Sequence, residues 1–277
     1  MINPHARLPL SPLAMCRSIW TNRSLISRLA GRDIAALYKG SFAGLLWTVI
    51  TPIVMLTVYT FVFSVIFNAR WGGGPEQSRV QFAVVLFAGL LMHSLLAEVL
   101  NAAPTLITGN ANYVKKVLFP LEVLPVIRLL VALFQCAIGI GVLLLAEAFL
   151  NGYIPWTAPL IVLVLIPLCL LILGFSWLIA SLGAFVRDIG QMTQMFTVVL
   201  MFVSPIFFPV SAIPERLRGA IRLNPLTFII EQARDVLVWG KFPDLVGLLG
   251  YTIGAFFFAW LGYAWFQMTR KGFADVL

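Results

Sequence analysis

The stretch GSFAGLLWTVITPIVMLTVYTFVFSVIFNA, residues 40–69, contains no Asp, Glu, Lys or Arg. About 20 apolar residues in a helix cross the hydrocarbon core of a bilayer, and this run is long enough to do so. Three more stretches lack those four residue types: 148–186, 189–214 and 245–269. The 277-residue chain is 61% hydrophobic and 11% charged, against about 25% charged in a soluble domain. A soluble helix of such length carries a charged face, and these runs have none. Backbone groups in lipid must be bonded within their own segment, so the sequence predicts an all-α integral membrane protein.

Six spans fit, near 42–67, 81–107, 118–149, 158–185, 190–209 and 244–267, in one transmembrane domain over 1–277. Residues 1–41 form a segment ahead of the first span. An even number of spans puts both ends on one side. With the ends inside, the inner segments hold Arg7, Arg17, Arg23, Arg28, Arg32, Lys39, Lys115, Lys116, Arg187, Arg270 and Lys271. The outer segments hold Arg70, Arg79, Arg216, Arg218, Arg222, Arg234 and Lys241. The basic excess inside predicts cytoplasmic termini. The first 39 residues carry six basic residues and three prolines, a pattern unlike a cleaved signal peptide, and are expected to stay cytoplasmic.

Two segments are neither span nor simple loop. In SLISRLAGRDIAALYKG (24–40), Ile26, Leu29, Ile34 and Leu37 recur at helical spacing, with Arg28 and Arg32 on another face. This reads as an amphipathic helix on the inner membrane surface. In 204–244, Pro205, Pro209 and Pro214 interrupt the fifth span, and Asn224-Pro225 separates two short helical pieces. In the second piece Leu226, Ile229, Ile230, Ala233 and Leu237 share a face, with Glu231 and Arg234 one turn apart on another. A broken helix at membrane depth is tolerated where it is buried in protein or lines a cavity, so 204–240 is expected to be an outer gate or path-lining region.

Catalytic constellations are missing: the sequence has no HExxH, GxSxG, CxxC or GxxxxGK[ST], so any directed work would need an ion gradient or another subunit. Cys16, Cys136 and Cys169 lack metal or disulfide spacing. The ionisable residues placed within spans are His93, Glu98, Glu122, Arg128 and Glu147. Glu122 and Glu147 lie near span edges, where they are expected to reach water. Glu98 and Arg128 are equidistant from Tyr113 in a helical hairpin, so the two are predicted to pair, because an unpaired charge at that depth costs a few kcal/mol. Tyr59, Phe63 and Phe67 form a stripe in the first span, and Phe196 and Phe202 lie in the fifth. These aromatics read either as interhelical packing or as a channel lining. GSFAG (40–44) and GYTIG (250–254) match a small-residue packing pattern. The loop NANYVKKVLFP (110–120) holds Lys115 and Lys116 with no acid beside them. Orientation of the hairpin is one role for them, and a contact is another.

The chain resembles the membrane subunit of ABC exporters for polysaccharides and polyol phosphates, which include Wzm-like O-antigen permeases, capsule permeases and teichoic acid permeases. The resemblance rests on RDIAALYKGSFAGLLWTVITPIVMLTVYTFVFSVIF (32–67), NANYVKKVLFPLEVLPV (110–126), FVRDIGQ (185–191), SPIFFP (204–209) and LNPLTFIIEQARDVL (223–237), in that order. It implies a multi-pass protein of the bacterial inner membrane that works as a homodimer with two copies of a nucleotide-binding ATPase. ATP and Mg would be bound by that partner, with no cofactor and no catalysis in this chain and no part for nucleic acid. Asn110, Asn112, Tyr113, Lys115 and Lys116 would belong to the ATPase-coupling element. Arg28, Arg32 and Lys39 would meet the ATPase or lipid headgroups. Tyr59, Phe63, Phe67, Phe196 and Phe202 would line the channel, and Pro205, Phe207, Phe208, Pro209, Asn224 and Pro225 would build the outer gate. The implied cargo is a glycan on a polyprenyl diphosphate lipid. Capsule or teichoic acid export by the same mechanism is the alternative, with an ion-coupled carrier as a reading of another class.

Overall fold

Punctuation residues set most helix ends. In the computed structural model, which describes residues 10–39, 44, 46–66, 71, 79–114, 119–274 and 276, α1 (Pro12–Thr21) opens on Ser11, whose hydroxyl accepts from the Ala14 amide at 3.2 Å, with Pro12 at the first helical position. Helix α2 (Arg23–Tyr38) follows after Asn22. Helix α3 (Leu46–Tyr59) contains Pro52 and widens into a π-helix over Thr60–Ile66. Helix α4 (Arg79–Ala102) runs into tight turns at Ala103–Thr105 and Thr108–Asn110 and the short α5 (Ala111–Val114). Helix α6 (Val123–Asn151) stops at Gly152, whose φ of 75° suits glycine. Helix α7 (Ile161–Phe185) is followed by α8 (Ile189–Val203), α9 (Glu215–Leu223) and α10 (Pro225–Leu237). Helix α11 (Leu245–Thr269), capped by the Asp244 carboxylate on the Gly247 amide, ends in a tight turn over Arg270–Phe273.

The described residues contain helices and no strands. Among the described residues, five helical segments are long and apolar enough to cross a membrane: Leu46–Phe63, Gln81–Thr105, Val123–Leu150, Ala158–Phe185 and Leu245–Phe273. The predicted span at 190–209 is the exception. Its helix stops at Val203, because Pro205 has no amide hydrogen and forces the residue before it out of helical geometry. Helix α8 is 15 residues long, a rise of about 22 Å against a hydrocarbon core of about 30 Å.

Helix α4 is the buried centre, with Ala83, Val85, Leu86, Ala88, Met92 and Val99 all fully enclosed. Helices α3, α6, α7, α8 and α10 pack on it. Helices α7 and α11 pair along their length. A Cβ on Gly262 would collide with the Gly174 carbonyl, so main chain meets main chain there. The same holds where Gly183 rides on Pro104. The glycines of the GYTIG pattern do not serve this way: Gly250 and Gly254 face open space. Of GSFAG, Gly44 is likewise open and Gly40 lies outside the described residues. Helix α3 has no buried residue and turns Ile50, Ile53, Val54, Met55 and Val58 outward.

Two expectations about charge fail on burial. Glu122 and Glu147 do not reach water; they are 6% and 0% exposed. Glu122 sits under α1, where its carboxylate accepts from Ser18 and from Arg270, each at 2.8 Å. Arg234, counted among the outer surface charges, is 3% exposed, because α10 is covered on more than its apolar face.

Candidate functional site

One candidate region lies at the bundle end where α5 finishes and α6 begins. Helix α2 lies against α6 through Ile26 and Ala30, both buried, while Leu37 is exposed. This packing leaves Arg28, Arg32 and Lys39 exposed. Arg32 binds Asp33 at 2.8 Å and donates to the Tyr113 hydroxyl at 3.1 Å. Those two bonds, the Tyr113 one foremost, hold its pKa above the ordinary value. Tyr113 stacks on Phe119 with centroids 4.3 Å apart. Arg270 donates to the Phe119 carbonyl at 2.7 Å while holding Glu122. The structure therefore joins the amphipathic helix, the α5 loop and the end of α11 in one contact chain. Asn110 folds back on the Leu106 carbonyl at 2.9 Å, and Asn112 is exposed. Lys115 and Lys116 lie outside the described residues.

A second region lies at the far end of α8. Beyond Val203, Ser204 accepts from the Asn224 amide group at 2.9 Å, and Asn224 also caps α10 through the Leu226 amide. Asn224 thereby ties the break in α8 to the start of α10, with Pro225 preset for the first helical turn. Pro205 and Ile206 are buried, and Phe207, Phe208 and Pro209 are half-buried. Phe207 lies between Phe63 of the π-helical segment and Phe202 of α8, at 5.8 and 5.7 Å. Phe63 in turn meets Phe82, and Phe82 meets Trp71.

Arg234 closes this cluster. It donates to the carbonyls of Val85 at 3.0 Å, Pro205 at 2.7 Å and Ile206 at 2.9 Å. Its guanidinium lies 4.2 Å from the centre of the Trp71 ring. Helical spacing gave no signal of this, since the three acceptors are main-chain atoms.

Tyr59 and Phe63 are turned toward the protein, packed against its core. Phe196 and Phe202 are exposed, and Phe67 lies outside the described residues. Tyr59 borders a cavity of 360 Å³ between α3, α4 and α6, which Glu98 and Gln135 also line. Arg128 reaches Glu98 at 3.0 Å beside this cavity. His93, one of the ionisable residues placed within spans, meets the Thr197 carbonyl at 2.9 Å and ties α4 to α8. No group of His, Cys, Asp and Glu fit to hold a metal occurs among the described residues.

A bundle of long apolar helices with a basic contact chain at one end and a broken helix at the other suits transport. Comparison with known proteins points the same way. The chain is 22% identical over 265 residues to the O-antigen export system permease protein RfbA of Myxococcus xanthus, covering 95% of this chain and 99% of that one. It is 25% identical to RfbA of Klebsiella pneumoniae, covering 91% and 95%. It is 24% identical to the polysialic acid transport protein KpsM of Escherichia coli, over 78% and 82%. The family profile described as ABC-2 type transporter matches residues 24–238, and the chain belongs to that ABC-2 type transporter membrane family.

Proposed function

We propose that this chain is the permease subunit of an ATP-driven exporter of lipid-linked polysaccharide, of O-antigen type, in the bacterial inner membrane. It works as a homodimer with two copies of a separate nucleotide-binding ATPase, which binds ATP and Mg. In this reading α8 and the buried turn after it form the fifth of six spans. Both termini are cytoplasmic, the α5 loop and α2 are the ATPase contacts, and 204–240 is the outer gate. The likeness to O-antigen permeases over nearly the whole chain supports the class.

The observation that carries the mechanism is the contact chain from Arg32 through Tyr113 and Phe119 to Arg270. A push on either α2 or the α5 loop is felt by the other and by the end of α11. At the opposite end, Phe207 bridges α8 and the π-helical segment, so tilting α3 or α8 disturbs the gate. Flat aromatic rings there suit a sliding glycan, since they contact C–H faces without fixing one orientation. The likeness to a polysialic acid transporter supports capsule export by the same mechanism as a second reading.

The test is a proteoliposome assay of the chain with its co-encoded ATPase, reading ATP hydrolysis and export of lipid-linked glycan together. ATP-dependent export is expected, with Tyr113→Phe lowering the glycan moved per ATP by about threefold through loss of one hydrogen bond. Lys115→Glu with Lys116→Glu is expected to uncouple or dissociate the complex. Export driven by an ion gradient without ATP would replace this reading with a carrier.

A further inference from the structure

The 360 Å³ cavity between α3, α4 and α6 holds polar groups at a depth where they need partners. Gln135 stands about 18 Å along α6 from its start at Val123, near the middle of a hydrocarbon core of about 30 Å. Its half-buried amide lines the cavity and has no hydrogen-bond partner among the described residues. The same is true of the Tyr59 and Ser94 hydroxyls. Ser94 is exposed there although Met92, Leu95 and Leu96 beside it on α4 are enclosed. The Tyr59 hydroxyl and both ends of the Gln135 amide are open to the cavity rather than sealed under other atoms. Polar groups at this depth have no lipid partner, so leaving them unbonded costs free energy.

Charge in the cavity is cancelled. Glu98 is the charged residue among the described lining residues, and its Oε1 takes the Arg128 bond at 3.0 Å. Its Oε2 accepts no hydrogen bond among the described residues. The rest of the wall is apolar and partly aromatic, with the rings of Trp47, Tyr59 and Phe87. An apolar pocket of this volume with a few convergent polar groups is the usual form of a small-molecule site.

Building on the reading of the bundle as a glycan exporter, we propose that this cavity binds a neutral hexose unit of the exported glycan. The Gln135 amide accepts from one ring hydroxyl and donates to another. The Ser94 and Tyr59 hydroxyls bond others, and Glu98 Oε2 accepts one more. The aromatic rings contact the C–H face of the sugar. A phosphate or an acidic sugar would bring a charge with no free cation to meet it, since Arg128 is held by Glu98. An acyl chain would fill the space and leave the amide and hydroxyls unpaired.

Saturation-transfer NMR tests this on the full chain with its co-encoded ATPase, in phospholipid nanodiscs free of sugar detergent. The probes are the methyl glycosides of glucose, galactose, mannose and N-acetylglucosamine, with methyl glucuronide as the charged counterpart. Signal is expected from at least one neutral glycoside and not from the glucuronide. Gln135→Leu should weaken that binding about tenfold, as for hydrogen bonds lost to a neutral ligand, and Ser94→Ala should weaken it less. Silence from all four neutral glycosides overturns the proposal, as for a cavity that holds water only. So does equal signal from the glucuronide, or unchanged binding in both variants at wild-type melting temperature. ATP-driven export is read on the same protein in proteoliposomes. Export without glycoside signal overturns this site alone, and glycoside signal without ATP-driven export overturns the exporter reading.

Discussion

The Arg234 guanidinium is held by three main-chain carbonyls and an indole face, with no carboxylate in salt-bridge range among the described residues. Those carbonyls belong to α4 and to the turn after α8, so one side chain rivets α10 to both. Gly89 makes room for it: a Cβ there would stand 2.9 Å from the guanidinium. Arg234→Met removes the donors and leaves buried acceptors, and should lower the melting temperature by about 8 °C. Arg234→Lys should recover only part of that, since a single ammonium cannot span three carbonyls in a fixed fork. A scanning fluorimetry melt of the detergent-purified chain reads both. Glu98 and Arg128 behave differently, because each is the other's charge partner. Reversing either alone should cut folded yield several-fold, as an unmatched charge at that depth costs a few kcal/mol. Exchanging the two together should restore yield in size-exclusion profiles. This pair was legible in the sequence because hairpin geometry alone sets the depth of both residues. Arg234 was not legible, because its spacing from Glu231 imitates an ordinary surface ion pair while its partners carry no side-chain signature.

At the scale of helices, apolar run length located most spans, and caps such as Asp244 and Gly152 fixed their ends. Length failed at α8. The charge-free run reaches Pro214, but a proline at 205 outweighs hydrophobicity, since helix continuation needs an amide hydrogen that Pro205 lacks. The pairing of helices was less legible than their existence. A small-residue pattern shows where a close crossing is possible and not which crossing forms. GYTIG has the pattern and faces open space, whereas Gly174 and Gly262 meet with no such pattern marking them. Gly262→Ala should therefore force α7 and α11 apart and lower the melting temperature. Gly254→Ala, in the same helix, should leave it unchanged or raise it slightly, since alanine favours a helix over glycine by about 1 kcal/mol. Thermal melts of the two variants side by side distinguish crossing from pattern.

Across the whole molecule, burial is uneven. Helix α4 is enclosed, while α3 and much of α8 turn apolar residues outward, among them Val54, Val58, Val198 and Val199. Under the proposed homodimer these faces meet a second copy or the path between copies. With Cys16 replaced by Ser, Val54→Cys should form an intersubunit disulfide in membranes, whereas Leu249→Cys on α11 should not. Non-reducing gels read the difference. The inner–outer charge count assumed that every loop charge faces water. Arg234 breaks that assumption, because α10 folds back on the bundle and buries the charge it carries.

The clasp at Arg270 also has a meaning in time. Glu122, Phe119 and Leu10 are all synthesised before α11, and each waits for a partner on it: Arg270 for the first two and Trp260 for the third. Until α11 leaves the ribosome, a carboxylate that ends up buried stays without its cation and α1 stays loose. A chain stopped at Asp244 would enter the membrane with those groups exposed to the proteases that survey new membrane proteins. In the order of synthesis, then, Trp260 and Arg270 lock segments that were made long before them.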